Sequence, residues 1–476
     1  MWDILRSIAQ CALQTGSQVY LVGGAPRDLL LGRTPVDLDF AVSHHVFDLA
    51  RRVAQEQQGT LVTLDEEREI LRVVLPGQCF LDFGLFKGRD IEEDLRARDF
   101  TLNSLALPLH PGIGKQDLQH RLDPTGGCGD IALGLLRVSG HSSILDDPLR
   151  ALRGVRLAAQ FQLTIVPETT VLLRQGGRRL NRVAGERVRQ ELFGLLKQPV
   201  VYPWVDYLDR ELKLWQVLLP GRLRMEETTQ NFYHVENVWH HCLRTFHCLE
   251  VILKELPVAL AEGGDVAASL QRELSGGKNR LPLLKLAALI HDVGKPDTAV
   301  TQPGGRISFH GHSQAGVPYA NALADQLKLS RAERQYLANL VLLHMQPLHL
   351  YTSGDHSDLC LYRLFRALGD CTLDVLVLSL ADLTATYTAG ERLSELTPYR
   401  RFIFTLIERY LLEPGTFRPV PYLTGEDLIG LGVTEGPLVG QLLEELLEAQ
   451  ATGEVEDAPA ALLWAEKRIA GLPKSL

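Results

Sequence analysis

The chain has 476 residues, 45% of them hydrophobic and 22% charged, with a formal net charge of −9. That length excludes a single core, and the negative balance excludes a protein that coats nucleic acid indiscriminately. Seven irregularly spaced cysteines form no Cys-x-x-Cys pair, no apolar run reaches the roughly 20 residues of a membrane span, and the N-terminus has no basic region ahead of an apolar core. These features predict a reduced, cytoplasmic protein with no membrane association.

Spacing predicts a helix over 4–13, strands over 19–22 and 36–42 joined by a glycine turn and a short helix, a helix over 46–57, and strands over 61–63, 70–75 and 80–85. Mixed strands and helices end near residue 140. From Asp146 the pattern is almost wholly helical, broken by Gly and Pro clusters such as Gly176-Gly177, Pro220-Gly221 and Ser275-Gly276-Gly277. The expected class is α+β: a mixed-sheet head over 1–140, a helical neck over 141–225, a helical domain over 226–395 and a helical tail over 396–476.

In the head, Val36-Asp37-Leu38-Asp39-Phe40 sets two carboxylates on one face of a strand whose other face is apolar. Two acids on one face call for a cation between them, and magnesium, which takes oxygen ligands and bridges to phosphates, fits that need. Upstream, Gly23-Gly24 lets backbone N–H groups approach a triphosphate, and Arg27 adds a fixed positive fork. Asp82 in Phe80-Leu81-Asp82-Phe83 is a third strand acid, either catalytic beside Asp37 and Asp39 or a strand-end acid facing water.

Asp99 and Asn103 in Arg98-Asp99-Phe100-Thr101-Leu102-Asn103 share one side of a predicted helix. Arg98 and Asn103 there could bind ribose or phosphate, or Asp99–Asn103 could be a structural pair. In Asp146-Asp147-Pro148-Leu149-Arg150, Asp146 is expected to cap a helix and Pro148 to sit in its first turn. Asp147 and Arg150, with Arg153 and Arg156 continuing their row, could form plain salt bridges. They could also offer a base edge an acceptor and paired donors, selecting cytosine and adenine over uracil. Arginines from 150 to 189 cluster densely, either as a solvated helix face or for a negatively charged polymer.

These motifs follow one another in the order found in class II tRNA nucleotidyltransferases, the CCA-adding enzymes, and in the related bacterial poly(A) polymerases. The chain resembles that family over about its first 200 residues, and Glu186-Arg187 with Glu191 resembles the family's later Glu-Arg motif. The resemblance implies a nucleotidyltransferase head with Mg2+ at Asp37 and Asp39, Asp147 and Arg150 reading incoming CTP or ATP, and a tRNA 3′ end as acceptor. Farther on, His241, the pair His291-Asp292, His312, His344 and Asp382 lie in apolar helical segments. This second set resembles an HD domain. It implies metal ligands at His241, His291, Asp292 and Asp382, with His312 and His344 as the further histidines of two-metal versions. Such ligands suit Mn2+, Ni2+, Fe or Zn2+ and the hydrolysis of phosphoesters, including 2′,3′-cyclic phosphates.

The chain departs from the family at Ala97, where a second arginine is common, and at Gly84-Leu85-Phe86-Lys87, which replaces Thr-Phe-Arg. The Gly-basic-basic-Phe signature of the poly(A) polymerase branch is missing. The expected activity is addition of C and A to tRNA. The alternatives are poly(A) synthesis, partial addition of CC or A, and an HD phosphohydrolase whose head only binds RNA.

Overall fold

The computed structural model describes residues 1–77, 79–230, 236–261, 263–274, 278–390 and 392–471, so the Ser275–Gly277 break lies outside the described residues. The chain divides into two compact units, Met1–Leu218 and Leu219–Leu476.

The first unit opens with α1 (Trp2–Thr15), whose Leu5, Ile8, Ala9 and Ala12 recur at helical spacing and are buried. Gly16 ends it in the left-handed conformation at φ 71°. There follow β1 (Val19–Val22), α2 (Gly24–Leu30), β2 (Asp37–Val42), α3 (Val46–Glu56), β3 (Thr60–Asp65), β4 (Ile70–Leu75), β5 (Cys79–Leu85), α4 (Ile91–Arg96) and β6 (Ala106–Pro108). The strands form one mixed sheet in the order β3-β4-β5-β2-β1-β6. Only β2 and β5 pair in parallel, with Asp39 opposite Asp82, while β4 and β5 pair antiparallel with Arg72 opposite Asp82. The alternation of Leu38 and Phe40, Leu71 and Val73, and Leu81 and Phe83 fills one face with core residues. Phe40 and Phe83 stack there with centroids 4.8 Å apart. The opposite face carries Asp37, Asp39, Arg72 and Asp82.

Helices α5 (Gly127–Leu133), α6 (His141–Asp146), α7 (Arg150–Phe161), α8 (Pro167–Gly177) and α9 (Gly185–Leu196) follow. Two local expectations are corrected. Asp146 ends α6 instead of capping the next helix, and α7 begins only at Arg150 behind an extended Asp147 at φ −138°, ψ 98°. Pro148 therefore precedes the helix, and Asp147 stands off the row of Arg150, Arg153 and Arg156. Asp99 and Asn103 share no α-helix either; Thr101–Asn103 is a short 3-10 turn.

The second unit is helical apart from two-residue strands. In Leu281–Ile290 every residue is buried, Lys285 included, whose Nζ lies 2.6 Å from Glu250 Oε1. Around it pack Val238–Ala259, Arg331–Leu343 and Thr372–Ala389. The C-terminal helices Pro437–Ala451 and Ala458–Ala470 close a separate small core around Leu428, Leu446 and Ala465. Among the described residues no helix is long and apolar enough to cross a membrane. All seven cysteines are free.

Candidate functional site

Sheet register brings the three predicted head acids together. Asp37 and Asp39 emerge from the same face of β2, and Asp82 stands beside Asp39 on β5. Burial, with the neighbouring charge of Asp82, pushes the half-buried Asp39 carboxyl up to about 6. Neither the Asp37 nor the Asp39 carboxylate accepts a hydrogen bond from a described residue, so an all-oxygen, electron-rich pair stands on this sheet face. Such a donor set fits a hard divalent cation. Asp82 differs: Arg72 Nε and Nη2 donate to its two oxygens, both at 2.7 Å. The cleft here encloses about 590 Å³ and is lined by Asp39, Asp82, Arg68, Lys87 and Arg98.

The glycine turn fits closely over this row. Gly23 has φ 74°, and a Cβ there would come 2.9 Å from Asp39 Oδ2. Arg27, also predicted to face phosphate, is buried by three neighbours. It donates to Asp28 Oδ1 from Nε at 2.9 Å and from Nη2 at 2.7 Å, and from Nη1 to Asn103 Oδ1 at 2.6 Å. Its guanidinium also lies 4.2 Å from the Phe161 ring centroid.

From Arg27 a continuous polar chain runs inward. Asn103 Nδ2 donates to Asp99 Oδ1 at 3.1 Å, and Arg153 Nη1 to Asp99 Oδ2 at 3.2 Å. Arg153 Nε and Arg156 Nε then donate to the two oxygens of Glu191 at 2.8 Å and 2.6 Å. Against the pull of burial, Arg153 and the bonds from Asn103 and Phe100 hold the Asp99 carboxyl below its ordinary value. Asp99, Asn103, Arg153 and Arg156 are thus joined as an internal brace. Arg98 pairs with Asp94, its Nε 2.8 Å from Oδ2. Asp147 is held by Arg187 Nη2 at 2.7 Å and by Leu149 N at 3.2 Å. Arg150 donates from Nη1 to Ser143 O at 3.1 Å, while its buried Nε has no partner. Arg178, Arg179 and Arg182 are exposed.

In the second unit all six predicted ligands converge. His241 Nε2 lies 2.9 Å from Asp382 Oδ1 and 3.5 Å from Asp292 Oδ2, and His291 Nε2 lies 3.3 Å from Asp292 Oδ2. His312 Nε2 is 3.3 Å from Asp292 Oδ1 and 3.3 Å from His344 Nε2. Asp292 therefore turns one oxygen toward each subset of histidines. Three imidazoles have their Nδ1 spent on main-chain acceptors: His291 on Ala288 O at 3.0 Å, His312 on Phe309 O at 2.9 Å and His344 on Val341 O at 2.8 Å. Those carbonyls accept from Nδ1–H and turn each Nε2 toward the centre, where burial holds His312 and His344 below the ordinary imidazole value while, against burial, the facing Cys242, Asp292 and Asp382 hold His291 well above it. His291 Nε2 is buried without a hydrogen-bond partner, and Asp292 Oδ2 faces Lys295 Nζ at 2.6 Å. Imidazole nitrogens and carboxylate oxygens that converge in threes within 4.8 Å of one another fit a metal ion. Burial, with the charge of His291, pushes His344 down to about 3, which keeps it neutral as a ligand must be. Against burial, Lys295 and His291 hold Asp292 well below the usual carboxylate range. Beside the cluster opens a cavity of about 540 Å³ lined by Lys295, Arg306, His310 and Gln346 among others.

Sequence reasoning missed two of these side chains, Arg72 and Lys295. Arg72 sits in an unremarkable strand, and only the register sets it against Asp82. Lys295, whose Nζ lies 2.6 Å from Asp292 Oδ2, was visible three residues after the ligand. Arg187 was legible as part of the Glu186-Arg187 motif, but its bond to Asp147 was not.

The fold and its two sites define a nucleotidyltransferase head carried on one chain with an HD domain. Residues 19–90 match the poly A polymerase head domain, 162–224 the probable RNA and SrmB-binding site of polymerase A, and 238–387 the HD domain. The chain is 34% identical to an A-adding tRNA nucleotidyltransferase of Deinococcus radiodurans, over 94% of this chain and 95% of the relative. It is 32% identical to a CC-adding tRNA nucleotidyltransferase of Thermus thermophilus, over 94% of each chain. The fold is also that of a Thermotoga maritima CCA-adding enzyme solved in complex with tRNA, with a TM-score of 0.64 at 21% identity over 98% of this chain and 95% of that one. The chain belongs to the tRNA nucleotidyltransferase family.

Proposed function

We propose that this protein adds C and A residues to the 3′ end of tRNA from CTP and ATP without a template, acting in the cytoplasm. The carrying observation is the paired, unbonded carboxylates of Asp37 and Asp39 beneath the Gly23-Gly24 turn. Those two residues would hold Mg2+, which when bound neutralises triphosphate charge and favours ionisation of the attacking hydroxyl. The 3′ oxygen attacks the α-phosphate and pyrophosphate leaves. Backbone N–H groups of the glycine turn approach the triphosphate, and Asp147 and Arg150 present an acceptor and donors to the base edge. Asp99, Asn103, Arg153 and Arg156 act as the brace that holds this base-reading segment to the Arg27 turn. Exposed Arg178, Arg179 and Arg182 offer the neck a phosphate-binding surface. As functional units we propose the head over 1–140, neck over 141–225, HD domain over 226–395 and tail over 396–476.

Relatives named as A-adding and CC-adding, matching over most of this chain, favour a second reading, a partial enzyme. One experiment separates the two. Purified protein is offered tRNA transcripts lacking CCA, CA or A, with magnesium and labelled CTP or ATP, beside an Asp39→Ala control. CTP then ATP incorporation that stops at completion supports CCA addition, and incorporation restricted to CC or to A supports the partial enzyme. Long A tails mark a poly(A) polymerase, and no incorporation at any end overturns the reading.

For the HD domain we propose phosphoester hydrolysis with a transition metal held by His241, His291, Asp292 and Asp382, and a second ion by Asp292, His312 and His344. A bound ion there supplies an activated water. Release of phosphate from 2′,3′-cyclic or 3′-phosphate RNA ends tests it, and no release with any divalent metal makes the domain a scaffold.

A further inference from the structure

The acid row of the head does not end at Asp82. The pairing of Asp39 with Asp82 across β2 and β5 continues to Arg72 on β4, so three neighbouring strands present acid, acid and base on one sheet face. Residues directly opposite on paired strands project to the same side. Leu71 and Val73, flanking Arg72, point into the core, which leaves Arg72 on the cleft side about one-third exposed. Its fork takes both Asp82 oxygens at 2.7 Å, and its guanidinium carbon lies 4.8 Å from the centroid of Phe80, two residues along the same face. Asp37 and Asp39, by contrast, take no such donor. Of the three acids, only Asp82 is hydrogen-bonded to a described guanidinium, while Arg98 acts on Asp39 through charge alone.

We propose that Arg72 is a positioning residue of the nucleotidyl-transfer site, which fixes the Asp82 carboxylate in the acid row and, as the row's internal counter-charge, limits how strongly the row draws divalent cations. The inference rests on the proposed role of Asp37 and Asp39 in metal binding. It makes two effects separable, because the fork geometry holds Asp82 while the charge acts across the row. The charge is seen by more than its nearest partner: Asp82 dominates the upward shift of Arg72, and Asp37 and Asp39 add to it. A guanidinium that merely pinned a sheet edge would have no bearing on the metal.

The test measures Mn2+ bound to the full chain by the paramagnetic resonance of the free ion. It is read as the increment lost in an Asp37→Asn/Asp39→Asn control, which leaves the histidine cluster as it is. Arg72→Gln is expected to tighten that increment at least about fivefold, the Coulomb scale in water for removing one positive charge about 9 Å from a divalent ion, with a larger effect where the protein lowers the dielectric. The same variant is expected to lower kcat about tenfold with less change in KM for CTP or ATP. Arg72→Lys keeps the charge and loses the fork, so its Mn2+ affinity should stay within about twofold of the parent while kcat remains reduced. Should Arg72→Gln not fold, Arg72→Lys alone decides: parental kcat overturns the positioning role. Unchanged Mn2+ affinity in folded Arg72→Gln overturns the counter-charge role, and parental kcat in both variants overturns the positioning role. If the parent and the Asp37→Asn/Asp39→Asn control bind Mn2+ equally, the metal reading of the head itself fails, independently of Arg72.

Discussion

The two side chains proposed to select between nucleotides are held in unlike ways. Asp147 is turned by Arg187, and Arg150 by the Ser143 carbonyl with its Nε left unpaired. Asp147→Ala should therefore erode the choice of CTP and ATP over UTP while metal binding stays intact, read from misincorporation on a tRNA lacking CCA. Equal loss with every nucleotide would count against base reading. Arg187→Ala should reproduce the same error pattern more weakly, since the carboxylate is freed but not removed. Elsewhere, burial pushes the Asp374 carboxyl up to about 6, even though Tyr336 donates to it at 2.7 Å and Arg280 lies 3.3 Å away. A carboxylate with a folded pKa above its unfolded value near 3.8 binds more protons folded than unfolded between those two points. Stability of the helical unit should thus fall by about 2–3 kcal/mol as pH rises from about 4 through 6. Asp374→Asn should flatten that slope in urea titrations across the range.

At the scale of elements, Leu281–Ile290 carries an ion pair where a buried helix would ordinarily be wholly apolar. Lys285→Met leaves the Glu250 charge buried beside it and should cost about 3–5 kcal/mol, whereas Lys285→Met/Glu250→Leu should recover most of that in the same denaturation assay. The elements themselves were largely legible. Alternation placed Asp37 and Asp39 on one face because a strand side chain's direction depends only on its own backbone. An apolar run broken by His291-Asp292 marked a buried helix end for the same local reason. What escaped was set between elements. The Arg72–Asp82 pair depends on the register of two strands, and the burial of Arg153 and Arg156 on Glu191 from another helix. The start of α7 at Arg150 was misread because Asp146 and Pro148 look like a cap and first turn, while the chain instead ends a short helix at Asp146 and turns at Pro148.

On the scale of the whole molecule, two sites with different ligand chemistry share one chain. Oxygen donors in the head suit a hard ion, and nitrogen-rich donors in the helical unit suit a softer one. Asp39→Ala should abolish nucleotide incorporation and leave phosphate release unchanged, and Asp292→Asn should do the reverse. Loss of both activities in either variant would show that the two chemistries depend on each other. The histidine cluster has a further consequence. Because main-chain carbonyls fix the ring orientation of His291, His312 and His344, the imidazoles keep facing Asp292 and one another whether or not an ion joins them. Chelation should then do more than silence a reaction. It should soften the helices that carry those rings, so that the melting temperature of this unit becomes a gauge of trace-metal supply while that of the head stays constant.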